Sequence, residues 1–179
     1  MKIPFRQTSI SGCAYFCLAN LLNDKRYIHD VEGLTRGQGS FVTNERLREF
    51  YPTWYIETAY CMPDSFDRFL TDTRLFKMEW EKIPAETKEF YAVPYLVTIR
   101  RTEDKNHAIL CLLNLKDSWM YVFDSMKAER TESDMETFVA GYRVLQVETF
   151  HSLLIEEDMR DSPIAIDKRD FPQLFEHGE

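Results

Sequence analysis

The sequence predicts an α+β protein in which helices come first and an antiparallel sheet follows. Residues 13–22 are nearly all apolar and form a run too long for a typical strand, which predicts a buried helix. Four segments of the second half are rich in β-branched and aromatic residues, which predicts strands at 93–100, 107–115, 118–125 and 142–150. Helices followed by strands are typical of helices packed on one antiparallel sheet.

The first two helices have boundary signals at their ends. Asn23 and Asp24 supply a polar stop to the helix at 13–22. Three of the six glycines lie in residues 33–41, which predicts a loop there. Thr43 follows this loop and can cap a second, shorter helix at 44–51.

Two further helices are predicted from the same kinds of signal. Residues 63–72 begin with proline and an acidic first turn, and they place apolar side chains at helical spacing. Residues 131–141 contain Ser133 and Glu136 at the spacing of a capping box and end on Gly141, a helix-stop signal. This second segment is predicted to be a short helix that crosses to the last strand.

Composition indicates one domain with an ordinary hydrophobic core. The chain has 179 residues, of which 44% are hydrophobic and 14% aromatic, so that no disulfide or metal is needed for stability. We expect a domain over residues 1–150 and an acidic C-terminal extension over residues 151–179. The extension is predicted either to lie along the domain or to dock a partner or cover the site.

The net charge of −8 argues against nucleic-acid binding, which requires a strong basic balance. An acidic surface favours basic or neutral peptide partners. The first ten residues lack the apolar stretch of a secretory signal. No apolar run in the chain approaches the roughly 18 residues that are needed to cross a membrane. We therefore expect a cytoplasmic protein, without membrane contact and with its four cysteines reduced.

Cys13 is the candidate nucleophile because it stands in the first turn of the first predicted helix. Unpaired N–H groups at a helix start favour the thiolate and lower the pKa of a thiol from about 8.5. Cys17 lies one turn further into the apolar helix and is predicted to be a core thiol. A cysteine in an apolar run is usually part of the core, so Cys13 indicates a nucleophile only together with a base.

The candidate bases are the four histidines, at positions 29, 107, 151 and 177. His107 opens a strong strand candidate, and a two-residue turn at Leu115-Lys116 would place it directly across the hairpin from Asp124. Asp124 could then accept the imidazole N–H and orient the ring. Taken singly, these are ordinary strand-end residues. Together, Cys13, His107 and Asp124 predict a nucleophile, a base and an orienting carboxylate.

The same residue types can bind metals, but their spacing argues against a metal site. Cys13 and Cys17 are separated by three residues and do not form a C-x2-C clip, and no H-x3-5-H pair completes four ligands. The chain also lacks the glycine motifs that bind nucleotide phosphates. The sequence therefore predicts neither a metal nor a cofactor.

These residues resemble those of papain-like cysteine peptidases, and most closely the bacterial peptidases that cut double-glycine leaders. Gln7 precedes Cys13 by six residues, which is similar to the family's oxyanion-hole Gln and its nucleophile at the head of the central helix. HAILCLLNLKDSWMYVFDS resembles the family's stretch with His on one strand and Asp ending the next. GSFVTNERLREFY and SDMETFVAGY resemble its loop and helix after the nucleophile and its short helix after the Asp.

The resemblance covers about residues 1–150 and implies a papain-like fold, with a central nucleophile helix packed on a C-terminal antiparallel sheet. It implies that Cys13 attacks a carbonyl as thiolate and that His107 acts as base and then as acid. Asp124 would hold His107 in the useful tautomer. Gln7 and the backbone N–H of Cys13 would hydrogen-bond the oxyanion.

The flanking residues depart from the family pattern. Leader peptidases usually carry Asp before and Gly after the nucleophile and Pro after the Asp, whereas this chain has Gly12, Ala14 and Ser125. The predicted function is a cysteine peptidase, a thiol hydrolase that cleaves a peptide or isopeptide bond in a peptide or protein substrate. Two alternatives stay open: an acyltransferase or deamidase that uses the same triad, and a non-catalytic binding or structural module in a larger assembly.

Overall fold

A computed structural model describes residues 1–8, 12–29, 42–60, 83–102, 105–154 and 163–175. These residues form helices and one antiparallel sheet, so the predicted α+β class is confirmed. The described α-helices are α1 Cys13–Leu22, α2 Asn44–Phe50, α3 Met135–Gly141 and α4 Pro172–Phe175. None of the helices in these ranges has the length and apolar character needed to span a membrane.

The helix boundaries largely follow the predicted signals. α1 ends at Asn23, which adopts a left-handed conformation with φ 52°. Thr43 caps α2 by accepting the N–H of Arg46 at 3.1 Å. The predicted cap of α3 was wrong by one residue, because Asp134, and not Ser133, accepts the N–H of Thr137, at 2.7 Å. The helix predicted at 63–72 lies outside the described residues.

The sheet contains all four predicted strands and three that were not predicted. The strands are β1 Trp54–Tyr60, β2 Tyr91–Thr102, β3 Lys105–Asn114, β4 Met120–Phe123, β5 Thr131–Ser133, β6 Val144–Ser152 and β7 Ile166–Asp167. Their order is β1-β6-β2-β3-β4-β5, and β7 pairs with the start of β2. β5 and β7 have three and two residues, too few for an alternating pattern to be visible in the sequence.

The hairpin of β3 and β4 has a longer turn than predicted. Leu110 pairs with Phe123, and the connection runs from Leu115 to Ser118, which adopts a left-handed φ of 57°. The prediction of a two-residue turn at Leu115-Lys116 was therefore wrong. When the observed pairing of β3 and β4 is extended past Leu110 and Phe123, Asp124 lies diagonally across from His107.

Two clusters of buried side chains cover the two faces of the sheet. α1 packs against β3, and the side chains buried to 1% exposure or less on this face include Leu18, Leu21, Leu96, Leu110 and Phe150. The cluster on the opposite face includes Val97, Cys111, Phe138 and Val147. The core thus holds α1, with Cys13 at its start, rigidly against the strand that carries His107.

The described part of the C-terminal segment, residues 163–175, belongs to the cluster on the α1 face. Ile164, Ile166 and Leu174 are at most 5% exposed there. The side chain of Gln173 donates to the carbonyl of Leu21 at 3.0 Å, near the end of α1. Of the two predictions for the extension, the one in which it lies along the domain describes these residues. The division of the chain at residue 150 stays a prediction.

Candidate active site

Cys13 is the first residue of α1, and the backbone before it has a conformation that favours glycine. Gly12 has a φ of 90°, in the left-handed region where a Cβ atom would be strained. Its carbonyl accepts the N–H groups of Tyr15 and Phe16 at 3.0 and 3.1 Å, which begins the helix. The Gly-Cys pair therefore turns the chain sharply and leaves the thiol at the positive end of α1.

Both thiols of α1 hydrogen-bond to one residue of β3. The N–H of Ala108 donates to Cys13 Sγ at 3.3 Å, and the thiol of Cys17 donates to the carbonyl of Ala108 at 3.5 Å. Because Ala108 follows His107 in the chain, these two contacts fix the Cys13 thiol relative to the imidazole. Burial raises the pKa of Cys17 well above its usual range, as expected for the predicted core thiol.

His107 and Asp124 form a buried pair. Nε2 of His107 lies 2.7 Å from Oδ1 of Asp124, and their side chains are 5% and 7% exposed. The N–H of Met126 donates to the same carboxylate oxygen at 3.0 Å. The pair forms although the predicted register was wrong, since diagonal neighbours on two strands stay within reach of long side chains.

The His107 ring also acts on the Cys13 thiol, whose pKa it lowers, so that the three side chains form one interacting group. Nε2 of the ring is engaged by Asp124, which leaves Nδ1 for the thiol. The structure therefore brings together the three residues that were predicted as nucleophile, base and orienting carboxylate. Their order, thiol to imidazole to carboxylate, is that of a cysteine-based triad.

Hydrogen bonds and charges around Cys13, His107 and Asp124 favour the charged forms of these three side chains. Burial would raise the pKa of Cys13, but the hydrogen bond and charge of His107 and the Ala108 N–H lower it below its usual value. Burial would lower the pKa of His107, but hydrogen bonds and charges from Asp124 and Cys13 raise it to about 9. Burial would raise the pKa of Asp124, but His107 lowers it. A thiolate and an imidazolium therefore coexist between the pKa values of Cys13 and His107.

Gln7 lies against the residue that follows Asp124. Its N–H donates to the carbonyl of Ser125 at 2.7 Å, and the hydroxyl of Ser125 donates back to its Oε1 at 2.9 Å. Asn20 of α1 holds the same N-terminal segment by bonding both the N–H and the carbonyl of Phe5, at 2.8 and 3.0 Å. Ser125 is 1% exposed. Ser125 was not predicted as a site residue. Its only signal in the sequence was that it follows Asp124 at a position where leader peptidases usually carry Pro.

The remaining cysteines and histidines lie away from Cys13, His107 and Asp124 or outside the described residues. His29 is exposed and follows the short 3-10 turn Lys25–Ile28. His151 is 2% exposed and lies 2.7 Å from Oγ1 of Thr149 through its Nε2. Cys111 is a buried core thiol, while Cys61 and His177 are not described. Among the described residues no group of three or more His, Cys, Asp or Glu side chains could hold a metal ion.

A cavity of about 850 Å³ opens near the other end of α1. Its lining includes Leu22, Trp54, Tyr91 and Phe171, and Cys13 does not contribute to it. Cys13 and Leu22 are nine residues apart on α1, or about 14 Å at the rise of an α-helix. The cavity is therefore separate from the three-residue chain of Cys13, His107 and Asp124.

A scan of the sequence against protein-family models finds no match, and a search of curated proteins finds none either. A function for this protein consequently has to be argued from the geometry of Cys13, His107 and Asp124 and from the residues that hold them in place.

Proposed function

We propose that the protein is a cysteine peptidase of papain-like fold that hydrolyses a peptide or isopeptide bond. The observation that supports this most is the grouping of the Cys13 thiol with the buried His107 ring, which lowers the pKa of the thiol and lies 2.7 Å from the carboxylate of Asp124. It combines a nucleophile at a helix start, a base and an orienting carboxylate. The resemblance of these positions to papain-like peptidases adds the reaction class.

In the first half-reaction the Cys13 thiolate attacks the carbonyl carbon of the scissile bond. A C–S bond forms, and the carbonyl electron pair moves to oxygen, which becomes an oxyanion. When this intermediate collapses, the C–N bond breaks and the leaving amine takes its proton from the His107 imidazolium. The acyl group remains on Cys13 as a thioester.

In the second half-reaction water attacks the thioester while neutral His107 accepts one of its protons. The C–S bond then breaks, which releases the carboxylic acid and restores the Cys13 thiolate beside an imidazolium. Asp124 stabilises that imidazolium in both halves and keeps the ring oriented. The side-chain amide of Gln7 and the N–H of Cys13 would donate to the oxyanion, and one such donor is worth roughly 3 to 4 kcal/mol in the transition state.

The test is the pH dependence of iodoacetamide labelling, measured for each cysteine by mass spectrometry. Cys13 is expected to label fast well below pH 8.5, because its pKa is lowered. Cys17 is expected to resist labelling, since it is buried and its pKa is raised. Cys13 reacting no faster than Cys17 or Cys61 would contradict the proposal and favour a non-catalytic module.

Ser125→Ala is expected to weaken attack on an ester without weakening alkylation. Loss of the 2.9 Å hydrogen bond to Oε1 would let the Gln7 amide turn away, so acylation by p-nitrophenyl acetate should slow about five- to tenfold. Alkylation by iodoacetamide occurs at a saturated carbon and forms no oxyanion, so its rate should stay constant. The control is Ser125→Thr, which keeps the hydroxyl. Equal slowing of both reactions in Ser125→Ala would contradict a role through Gln7.

A further inference from the structure

Five cationic residues belong to segments that neighbour the three-residue chain, and we call this group the basic rim. Its members are Arg6, Arg101, Lys105, Lys127 and Arg143. All five are exposed, and within the described part of the chain none of them is paired with a carboxylate. A cluster of unpaired cations on a chain with a net charge of −8 is a local departure from its overall balance.

The strand pairing places the members of the rim close to His107. Ile99 of β2 pairs with His107, and Arg101 follows two residues later on the same strand. Lys105 precedes His107 by two residues on β3 and pairs with Thr102. Arg143 lies just before β6, where its carbonyl accepts the N–H of Arg100 at 2.9 Å. Three neighbouring strands thus present cations at the end of the sheet that carries His107.

The other two members of the basic rim, Arg6 and Lys127, belong to the segments that carry Gln7 and Asp124. Arg6 precedes Gln7, whose N–H bonds to Ser125 at 2.7 Å. The N–H of Lys127 donates to the carbonyl of Asp124 at 2.9 Å. The rim is therefore built from every segment that supplies a residue to the site except α1.

Arg101 is the member with the most direct connection to the site. Its side chain reaches from β2 to the residue after Ser125, where Nη1 lies 2.6 Å from Sδ of Met126. The N–H of Met126 in turn donates to Asp124 at 3.0 Å. The guanidinium therefore lies beside the segment that carries Asp124.

Two cations at the opposite end of the sheet do pair with carboxylates. Lys116, in the turn between β3 and β4, pairs with Glu89 at 3.4 Å. Arg169, after β7, pairs with Asp167 at 2.6 Å. Seven residues separate His107 from Asn114, or about 23 Å at the rise of a strand, which exceeds the Debye length of about 8 Å at physiological salt. Charges at that end are therefore largely screened from His107.

We infer that the substrate segment beside the cleaved bond is acidic and that the basic rim binds its carboxylates. This inference rests on the proposed peptidase function. Net charge alone favours basic or neutral partners, but these five exposed cations belong to segments beside the site, where a substrate has to bind. Glu103 and Asp104 stand between Arg101 and Lys105 in the sequence and lie outside the described residues, and the five cations of the rim outnumber them.

Two alkylating probes that differ in charge test the inference without a known substrate. Iodoacetate is an anion and iodoacetamide is neutral, and both alkylate Cys13 by the same displacement of iodide. In Arg101→Gln the ratio of the iodoacetate rate to the iodoacetamide rate at Cys13 is expected to fall about two- to fivefold, as for one charge removed several Å from the thiol. The ratio in the parent protein should also fall as salt is added.

Matched variants show whether the effect comes from charge at this place. Arg101→Lys keeps the charge and should keep the ratio. Lys116→Gln removes one cation from the opposite end of the sheet and should leave the ratio unchanged. As a second readout, tetraglutamate should protect Cys13 from iodoacetamide better than tetralysine does.

The outcomes separate this inference from the function on which it rests. Fast labelling of Cys13 with a ratio that does not respond to Arg101→Gln, and no preference for tetraglutamate, would overturn the acidic substrate and leave the peptidase proposal standing. Slow labelling of Cys13 by both probes would instead contradict the peptidase proposal itself.

Discussion

His107→Ala is expected to abolish the fast labelling of Cys13 below pH 8.5. The imidazole supplies both a hydrogen bond and a positive charge to the thiolate, and these oppose a burial that by itself raises the pKa of Cys13. Without the ring only burial and backbone N–H groups remain, so the pKa of Cys13 should rise. At pH 6.5 we expect a loss of labelling rate of about tenfold or more.

The pH profile of the difference follows from the direction of the two shifts. Cys13 has a lowered pKa and His107 a pKa raised to about 9, so the thiolate and imidazolium coexist between them. The parent and His107→Ala should therefore differ most on the acidic side. They should converge as the pH rises through about 9, where the imidazolium of the parent loses its proton. Labelling rates from pH 5 to 10 would show this.

Two further variants sharpen the test of His107. His29→Ala removes an exposed histidine that lies beyond the end of α1, and it should label like the parent. Asp124→Asn keeps the size of the side chain but removes the charge that raises the pKa of His107, so it should lose part of the low-pH labelling. Equal labelling of Cys13 in the parent and in His107→Ala would show that the imidazole does not activate the thiol.

Leu174→Ala is expected to destabilise the whole domain by about 2 to 5 kcal/mol, the usual cost of truncating a buried leucine. Leu174 is 0% exposed and lies in the same cluster as α1. Its carbonyl also accepts the guanidinium of Arg130 at 2.5 Å, which ties the segment to the region after β4. Such a loss is a large part of the 5 to 15 kcal/mol that typically stabilises a domain.

Urea unfolding followed by circular dichroism would measure this change. The matched control is Leu154→Ala, the same substitution at a side chain that is 79% exposed, and it should change the free energy of unfolding by less than about 0.5 kcal/mol. A Leu174→Ala variant as stable as Leu154→Ala would mean that residues 163–175 can leave the domain without cost, and they would then act as a separable segment.

Local features of this protein were predictable because they depend on residues close together in the chain. The limits of α1, the cap of α2 by Thr43 and four of the seven strands in the described residues follow from periodicity, capping and turn residues within a few positions. The grouping of Cys13, His107 and Asp124 was predicted from their order, their residue types and an assumed register of the hairpin. His107 and Asp124 meet even though the predicted turn of the hairpin was misplaced, because side chains at diagonal positions on two paired strands stay within reach of each other.

Other features were decided only by the tertiary structure. Gln7 and Ser125 are 118 positions apart, Ala108 and Cys13 are 95 apart, and no local pattern links either pair. Arg101 acquires its place beside Met126 only through the pairing of β2 with β3, so a net charge of −8 conceals a basic rim. By itself the sequence determined the longer helix and most of the longer strands, and which chemistry is available. Packing decided the rest, since contacts between distant residues depend on strand register and helix docking, which arise from the whole core at once.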